Sequence, residues 1–154
     1  MPSSPTPGAG GCGCPPTEAP QALGGGVHHV ILNAADLDGS RPFYAWLMPR
    51  LGYPGTSDYG EIVGWYGPAG SFWLKQAAPR FVGERFDKDR VGLCEIAFRA
   101  ESRAAVDALA RALADGGWPI LRPPREYDYV PGYYAVFFAD PDGVKLELVH
   151  IPAA

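Results

Sequence analysis

The segment Asp140-Pro-Asp-Gly-Val-Lys-Leu-Glu147 decides the fold of this chain, because it is a turn that leads directly into an apolar strand. A comparable turn and strand occur earlier, in Gly67-Pro-Ala-Gly-Ser-Phe-Trp-Leu74. A turn and strand that recur at a long interval indicate a duplicated supersecondary unit. The sequence therefore predicts two copies of one module, and it makes Leu74 equivalent to Glu147.

The segments upstream of these turns repeat as well. His29–Leu32 begins an apolar strand, and Glu95–Phe98 begins another strand about 66 residues later. Each is followed by apolar residues at helical spacing, which end at Gly52-Tyr-Pro54 in the first copy and at Gly117-Trp-Pro119 in the second. His29 is therefore equivalent to Glu95, and each module is predicted to contain a strand, a helix and three further strands.

Length and composition limit the classes of function. The chain has 154 residues, 47% of them hydrophobic, which is enough for one compact domain with its own core. The net charge is -4 and no basic stripe follows the sequence, so nucleic acid is excluded as an expected partner. No apolar run approaches the roughly 18 to 20 residues of a membrane span, so no membrane partner is expected either.

The first 25 residues differ in composition from the rest. They are rich in Pro, Gly, Ala, Ser and Thr and are predicted to form a disordered tail. Gly8–Gly13 fits the dinucleotide-binding spacing, but no strand precedes it and no helix follows it. The tail has neither a secretory nor a transit signal pattern, so a cytoplasmic location is expected. The predicted domain covers residues 26–152, with module one at 26–79, a charged linker at 80–90 and module two at 91–152.

Alternation along the strands predicts which side chains share a face. Neighbouring residues of a strand point to opposite faces, and the helices need the apolar face to cover. The apolar residues on either side of Glu95 and Glu147 therefore turn toward the helices, and the two glutamates turn away from them. The same reasoning turns His29 away from its helix. One imidazole and two carboxylates are therefore predicted to share a concave face.

These segments, together with Gly132-Tyr-Tyr-Ala-Val-Phe-Phe-Ala139 before the later turn, resemble the vicinal oxygen chelate superfamily. This superfamily includes glyoxalase I, extradiol dioxygenases and the fosfomycin and bleomycin resistance proteins. The resemblance covers about residues 26 to 152. It implies an α+β fold of two βαβββ modules, whose mixed sheets curl into a cup with the helices outside. It also implies a divalent metal held by up to four residues, one from the first and one from the last strand of each module.

Carried over onto this sequence, the four positions are His29, Leu74, Glu95 and Glu147. His29 and Glu147 match the superfamily pattern, whereas Glu95 stands where a histidine is usual, and Leu74 cannot bind a metal. The resemblance therefore implies a site of one imidazole and two carboxylates for Zn, Ni, Mn or Fe, with positions left open for substrate. Glu95 or Glu147 would serve as the general base.

The resemblance leaves three candidate functions, two that use this metal site and one that does not. The first is a metal-dependent, glyoxalase-like enzyme with lyase or isomerase chemistry on a small substrate that chelates the metal through adjacent oxygens. The second is an iron-dependent, ring-cleaving dioxygenase on the same site. The third is a metal-free protein that sequesters a small molecule, as bleomycin resistance proteins do. The metal content of the purified protein would separate the third function from the other two.

Aromatic residues are expected to line the substrate pocket and to make its walls apolar. A tyrosine-rich insertion at 125–132 either forms a rim that grips a ligand or is an ordinary surface loop. The superfamily includes cups within one chain and cups shared by a homodimer, and the sequence does not choose between them. The predicted pocket residues are Trp73, Leu74, Tyr127, Tyr129 and Tyr133.

Overall fold

The computed structural model describes residues 25–153, so the predicted tail lies almost entirely outside the described residues. Within residues 25–153, two helices and eight strands follow the predicted order of strand, helix and three strands in each module, and a 3-10 turn, Pro79–Phe81, follows the fourth strand. None of the described helices is long and apolar enough to cross a membrane. The elements are β1 His29–Ala34, α1 Leu37–Arg50, β2 Gly55–Asp58, β3 Ile62–Gly67, β4 Gly70–Gln76, β5 Ile96–Arg99, α2 Arg103–Asp115, β6 Ile120–Glu126, β7 Tyr134–Ala139 and β8 Lys145–His150.

The strands form two separate four-stranded sheets, one in each module. Their orders are β1-β4-β3-β2 and β5-β8-β7-β6, and in each sheet the first and last strands of the module pair in parallel. The predicted α+β fold of two βαβββ modules is thereby confirmed. Because the two sheets have no strand in common, each module presents its own sheet face.

Local sequence explains where the helices begin. Asp36 accepts a hydrogen bond from the backbone N–H of Gly39, and Ser102 accepts one from Ala105, so both helices have a side-chain cap. Helix α2 then buries one stripe, formed by Val106, Leu109, Ala110 and Leu113.

The helix-bearing faces of both modules belong to one hydrophobic core. The Phe43 ring of α1 meets the Trp118 ring of module two with centroids 5.0 Å apart, and the rings of Phe72 and Phe98 lie 6.1 Å apart. A smaller cluster of Tyr127, Ala135, Phe137 and Val149 lies apart from this core. The modules therefore pack through their helical sides, and the other face of each sheet takes no part in the main core.

The Asp-Pro-Asp-Gly turn joins the two modules. Asp140 is 4% exposed and accepts hydrogen bonds from the Tyr44 hydroxyl at 2.8 Å and from the Val144 N–H at 2.7 Å. Asp142 accepts one from the N–H of Ala35 in module one at 2.9 Å. Burial is the main cause that raises the pKa of the Asp140 carboxyl from 3.8 to about 6.

The raised pKa predicts a pH dependence of stability. The folded protein binds the Asp140 proton more tightly than the unfolded chain, so protonation of Asp140 stabilises the fold. This contribution to the free energy of unfolding is complete below pH 3.8 and is lost as the pH rises through about 6. The shift corresponds to about 3 kcal/mol. In Asp140→Asn we expect the difference in unfolding free energy between acidic and neutral pH to shrink by about that amount. Urea unfolding at several pH values measures it, with the exposed Asp115→Asn as control; equal pH slopes in both variants would contradict the prediction.

Candidate functional site

Glu147 is the most deeply buried acid on the sheet face of module two. It lies on β8, opposite Ala97 of β5 and Phe137 of β7, and its exposure is 0%. Its Oε1 accepts a hydrogen bond from the Tyr133 hydroxyl at 2.6 Å, and its Oε2 is buried without a hydrogen-bond partner among the described residues. Burial raises the pKa of this carboxyl, the charge of Glu95 raises it further, and the bond from Tyr133 opposes the shift.

Glu95 lies beside Glu147 and is ion-paired. The ammonium nitrogen of Lys145 is 2.5 Å from the Glu95 Oε2 and 4.5 Å from the centre of the Phe137 ring. The structure therefore brings the two glutamates together on one face, as alternation predicts. Each carboxylate already has a protein partner, because Lys145 pairs with Glu95 and Tyr133 donates to Glu147.

The tyrosine-rich loop packs onto this same face. The Tyr127 ring contacts Phe137 edge-on at 5.3 Å, stacks on Tyr129 at 5.6 Å and meets Tyr133 at 6.3 Å. The Tyr127 hydroxyl is buried without a hydrogen-bond partner in the described part of the chain. Burial and the bond to Glu147 raise the pKa of the Tyr133 hydroxyl, which keeps it protonated as a donor. Of the three predicted pocket tyrosines of this loop, Tyr133 bonds Glu147 directly, and Tyr127 and Tyr129 pack around Tyr133.

His29 does not join the glutamates. It begins β1 in the sheet of module one, is exposed, and its Nδ1 lies 3.0 Å from the Nδ1 of His28. Within residues 25–153, no three His, Cys, Asp or Glu side chains lie close enough to hold a metal ion. The predicted convergence of His29, Glu95 and Glu147 is therefore not seen in one chain. The physical reason is that His29 and the glutamates stand on separate sheets.

Strand register changes one of the predicted equivalences. Ile31 pairs with Trp73 in module one, and the matching pair in module two is Ala97 with Glu147. Trp73 is therefore the counterpart of Glu147, one residue before Leu74. Leu74 is 1% exposed and packs in the main core, so its side chain lies on the helical side and not in a pocket.

Comparison with known proteins agrees with this architecture. The family model described as the Glyoxalase/Bleomycin resistance protein/Dioxygenase superfamily matches residues 26–148. This chain belongs to that superfamily. It is 35% identical over 124 residues to the uncharacterized protein YqjT of Bacillus subtilis, which covers 80% of this chain and 97% of YqjT.

Solved structures of the superfamily have the same fold. A glyoxalase-like protein of Bacillus halodurans is 33% identical, with a TM-score of 0.71 over 81% of this chain and 95% of that chain. Lactoylglutathione lyase of Agrobacterium tumefaciens is 22% identical, with a TM-score of 0.57 over 86% of this chain and 96% of that chain. The second likeness concerns the fold alone.

Members of this superfamily commonly use divalent metals. The carboxylates of Glu95 and Glu147 could supply some of the ligands of such an ion, but not all of them. Carboxylate oxygens are suitable ligands, and the buried Oε2 of Glu147 has no hydrogen-bond partner within residues 25–153. Two neighbouring glutamates do not make a complete set, however, and a single chain does not bring His29 to them. The described residues of one chain therefore supply two neighbouring carboxylates and no third ligand beside them.

The sequence reasoning missed an open cleft of about 820 Å³ beside the sheet of module one, to which Leu93, Asp142 and Val144 of module two also contribute. The cleft lies between the sheet face that carries Ile31 and Asn33 and the segment from Ala77 to Phe86. Its signal was present in the sequence, since the charged linker at 80–90 also carries Phe81, Val82 and Phe86. Apolar residues in a linker indicate a surface that it covers.

Proposed function

We propose that this protein is a divalent-metal-dependent lyase or isomerase that acts on a small molecule with adjacent oxygen atoms. We further propose that its site is shared by a homodimer, in which His29 of a second copy joins Glu95 and Glu147. The observation that carries the proposal is the buried, unpartnered Oε2 of Glu147 beside a second carboxylate. A buried charged oxygen without a partner is costly unless a ligand satisfies it.

The side chains of module two would have different roles in such a reaction. When bound by the glutamates, a divalent ion would stabilise negative charge on the substrate oxygens. Burial raises the pKa of Glu147, which makes this carboxylate a stronger base than a solvent-exposed glutamate. Tyr133 fixes the orientation of that carboxyl through its 2.6 Å bond. Phe137 is the cross-strand neighbour of Glu147, and the Tyr127 ring packs on Phe137, so both rings add apolar surface to this part of the face.

The exposed residues on the sheet face of module one are the evidence for a second copy. His29 is exposed on that face, and Ile31 and Tyr66 on it are each 48% exposed. Alternation places His29 and Ile31 on the same side of β1, away from the core. Exposed apolar side chains on one sheet face favour an interface with another protein surface. A second copy on this face would bring His29 to a glutamate pair without any change within either chain.

A metal-free binding protein is the second candidate, and a specific observation favours it. Lys145 already pairs with Glu95 at 2.5 Å, and Tyr133 already donates to Glu147 at 2.6 Å. A face on which each carboxylate has one protein partner, next to several aromatic rings, could hold a small molecule without a cation. In that case the protein would sequester its ligand and have no turnover.

The metal content of the full-length protein tests the proposal. We expect about one divalent ion per chain, and we expect Glu147→Gln or Glu95→Gln to lower its affinity at least about tenfold, because a neutral amide is a poorer ligand than a carboxylate. Mass spectrometry of the purified proteins and titration with Mn, Fe, Ni, Zn and Co measure this. Glu126→Gln is the matched control, since Glu126 is an exposed acid paired with Arg103.

Different outcomes select different candidates. Wild-type protein that retains no metal and does not respond to any of the five ions would overturn the metal-dependent proposal and leave the binding protein. Tight and selective retention of iron, with oxygen uptake in the presence of a catechol, would select the dioxygenase in place of the lyase. Unchanged circular dichroism in both glutamine variants is required for either conclusion.

A further inference from the structure

We propose that the substrate carries a negative charge in addition to its metal-binding oxygens, and that Arg122 and Arg125 bind this charge. The inference names the substrate class of the proposed metal-dependent function, and it rests on that function for the metal alone. Both arginines belong to β6, and each guanidinium lies over a ring of the aromatic cluster next to Glu147. A carboxylate or a phosphate is the group that they would recognise.

One row of side chains crosses the sheet face of module two that carries the glutamates. Arg122 of β6 pairs with Phe137 of β7, and Phe137 pairs with Glu147 of β8. Cross-strand partners point to the same face, so these three side chains lie in one row. Neighbouring strands are about 4.8 Å apart, which puts the Cα atoms of Arg122 and Glu147 roughly 10 Å apart. The Arg122 guanidinium carbon is 5.9 Å from the centre of the Phe137 ring between them, within reach of a small molecule at Glu147.

Arg125 stands beside this row on the same face. It pairs with Ala135, which is two residues from Phe137 and therefore points to the same side of β7. The Arg125 guanidinium carbon lies 4.4 Å from the centre of the Tyr127 ring, and that ring packs edge-on against Phe137. Tyr127 is 6% exposed, and its hydroxyl is buried without a hydrogen-bond partner among the described residues. The ring that Arg125 covers therefore also carries a polar group that a ligand would satisfy.

The hydrogen-bond donors of both guanidinium groups are unused. Within residues 25–153, neither Arg122 nor Arg125 takes part in an ion pair or a side-chain hydrogen bond. A guanidinium rests on an aromatic ring through its flat face, whereas its N–H donors point outward in its own plane. The rings therefore hold the two groups in place and leave their donors free for paired bonds to a carboxylate or phosphate.

The charges of this face also favour an anion. The two carboxylates, Glu95 and Glu147, lie near three cations, and Lys145 is the cation that is already paired with Glu95. Arg122 and Arg125 have no carboxylate partner in the part of the chain that the structure describes. A divalent ion on the glutamates would add positive charge, and a face without metal keeps the same two unpaired arginines. The surplus therefore selects an anionic ligand in either state.

Two catechols of nearly equal shape test the charge preference. 3,4-Dihydroxybenzoate and 3,4-dihydroxybenzamide both present adjacent oxygens, but only the first is an anion. We expect the acid to bind the full-length protein at least about tenfold more tightly than the amide, with or without added Zn²⁺. Arg122→Ala and Arg125→Ala should each weaken the acid about fivefold to tenfold and change the amide by less than about twofold. Arg122→Lys should keep part of the preference, because it keeps the charge and loses the paired donors.

Isothermal titration calorimetry without oxygen measures these affinities, and Arg103→Ala is the matched control. Arg103 also lies over a tyrosine ring, that of Tyr134 at 5.0 Å, but it is paired with Glu126. Its removal should leave the affinities for both catechols unchanged. Metal affinity is titrated separately in each variant, so the anion preference and the metal dependence have independent readouts.

Several results would overturn the inference. These are equal affinity for the acid and the amide, no binding of the acid up to its solubility limit, and acid binding that survives both Arg122→Ala and Arg125→Ala. Protein that binds metal but shows no preference for the acid would therefore keep the proposed function and reject the anionic substrate. Protein that binds no metal, yet prefers the acid through these two arginines, would reject the metal-dependent function and keep the anion site.

Discussion

Leu74→Glu is expected to lower the free energy of unfolding by about 4 kcal/mol or more, enough to leave little folded protein. Leu74 is 1% exposed and belongs to the main core, between Leu32 of β1 and Val63 of β3. The substitution removes the roughly 1.5 to 3 kcal/mol of a buried leucine and adds the cost of burying a carboxylate without a partner. Total stabilities are about 5 to 15 kcal/mol, so a change of this size is decisive.

Trp73→Glu is the matched variant, one residue away on the other face. Its indole N–H donates to the Ser71 hydroxyl at 2.9 Å, and its ring stacks on the exposed Tyr59 at 6.2 Å. Loss of these half-exposed contacts is expected to cost only about 1 to 2 kcal/mol. Under the proposed metal-dependent function, Trp73→Glu should also tighten metal binding, because position 73 is the structural counterpart of Glu147.

Urea unfolding and metal titration of the two variants measure both effects. A folded Leu74→Glu protein that binds metal more tightly than wild type would restore the equivalence predicted from sequence. It would also contradict the strand pairing of β1 with β4. A Trp73→Glu protein that fails to fold would show that this sheet face is buried in the functional protein, as it would be within a dimer interface.

The one-residue error at Leu74 has a clear physical origin. The turn between β3 and β4 has two residues between the paired Gly67 and Gly70, whereas five residues separate the paired Ala139 and Lys145. The two final strands cannot be aligned through turns of unequal length. Because side chains alternate with a period of two, a shift of one residue exchanges the core face for the open face.

The glutamate pair could be predicted because it depends on local rules. Alternation along β8 places Glu147 and Lys145 on the same face, so the ion pair of Lys145 with Glu95 was also within reach of the sequence. The position of His29 relative to the glutamates could not be predicted from the sequence, because it depends on how two separate sheets are arranged. Such an arrangement is set by the packing of whole faces, here the helical sides that meet at Phe43 and Trp118. Periodicity within a strand carries no information about it.

A site shared between two copies predicts complementation between variants that are each inactive in metal binding. His29→Ala and Glu147→Gln should each lose most of the bound metal as homodimers. In a heterodimer of the two, one site combines His29 from the second chain with Glu147 from the first and is intact, whereas the other site lacks both residues. Purified heterodimers are therefore expected to hold about half of the wild-type metal, since a symmetric dimer has two equivalent sites.

Heterodimers can be isolated by placing a different affinity tag on each variant and co-expressing them, and the bound metal is then counted by mass spectrometry. The control pairs His29→Ala with the double variant that also carries Glu147→Gln, because no arrangement of those two chains yields an intact site. A site contained in one chain predicts no recovery in either mixture, since every chain then carries a defect of its own. Heterodimers that hold no more metal than the two parental homodimers would therefore reject the shared site, and they would do so without any knowledge of the substrate.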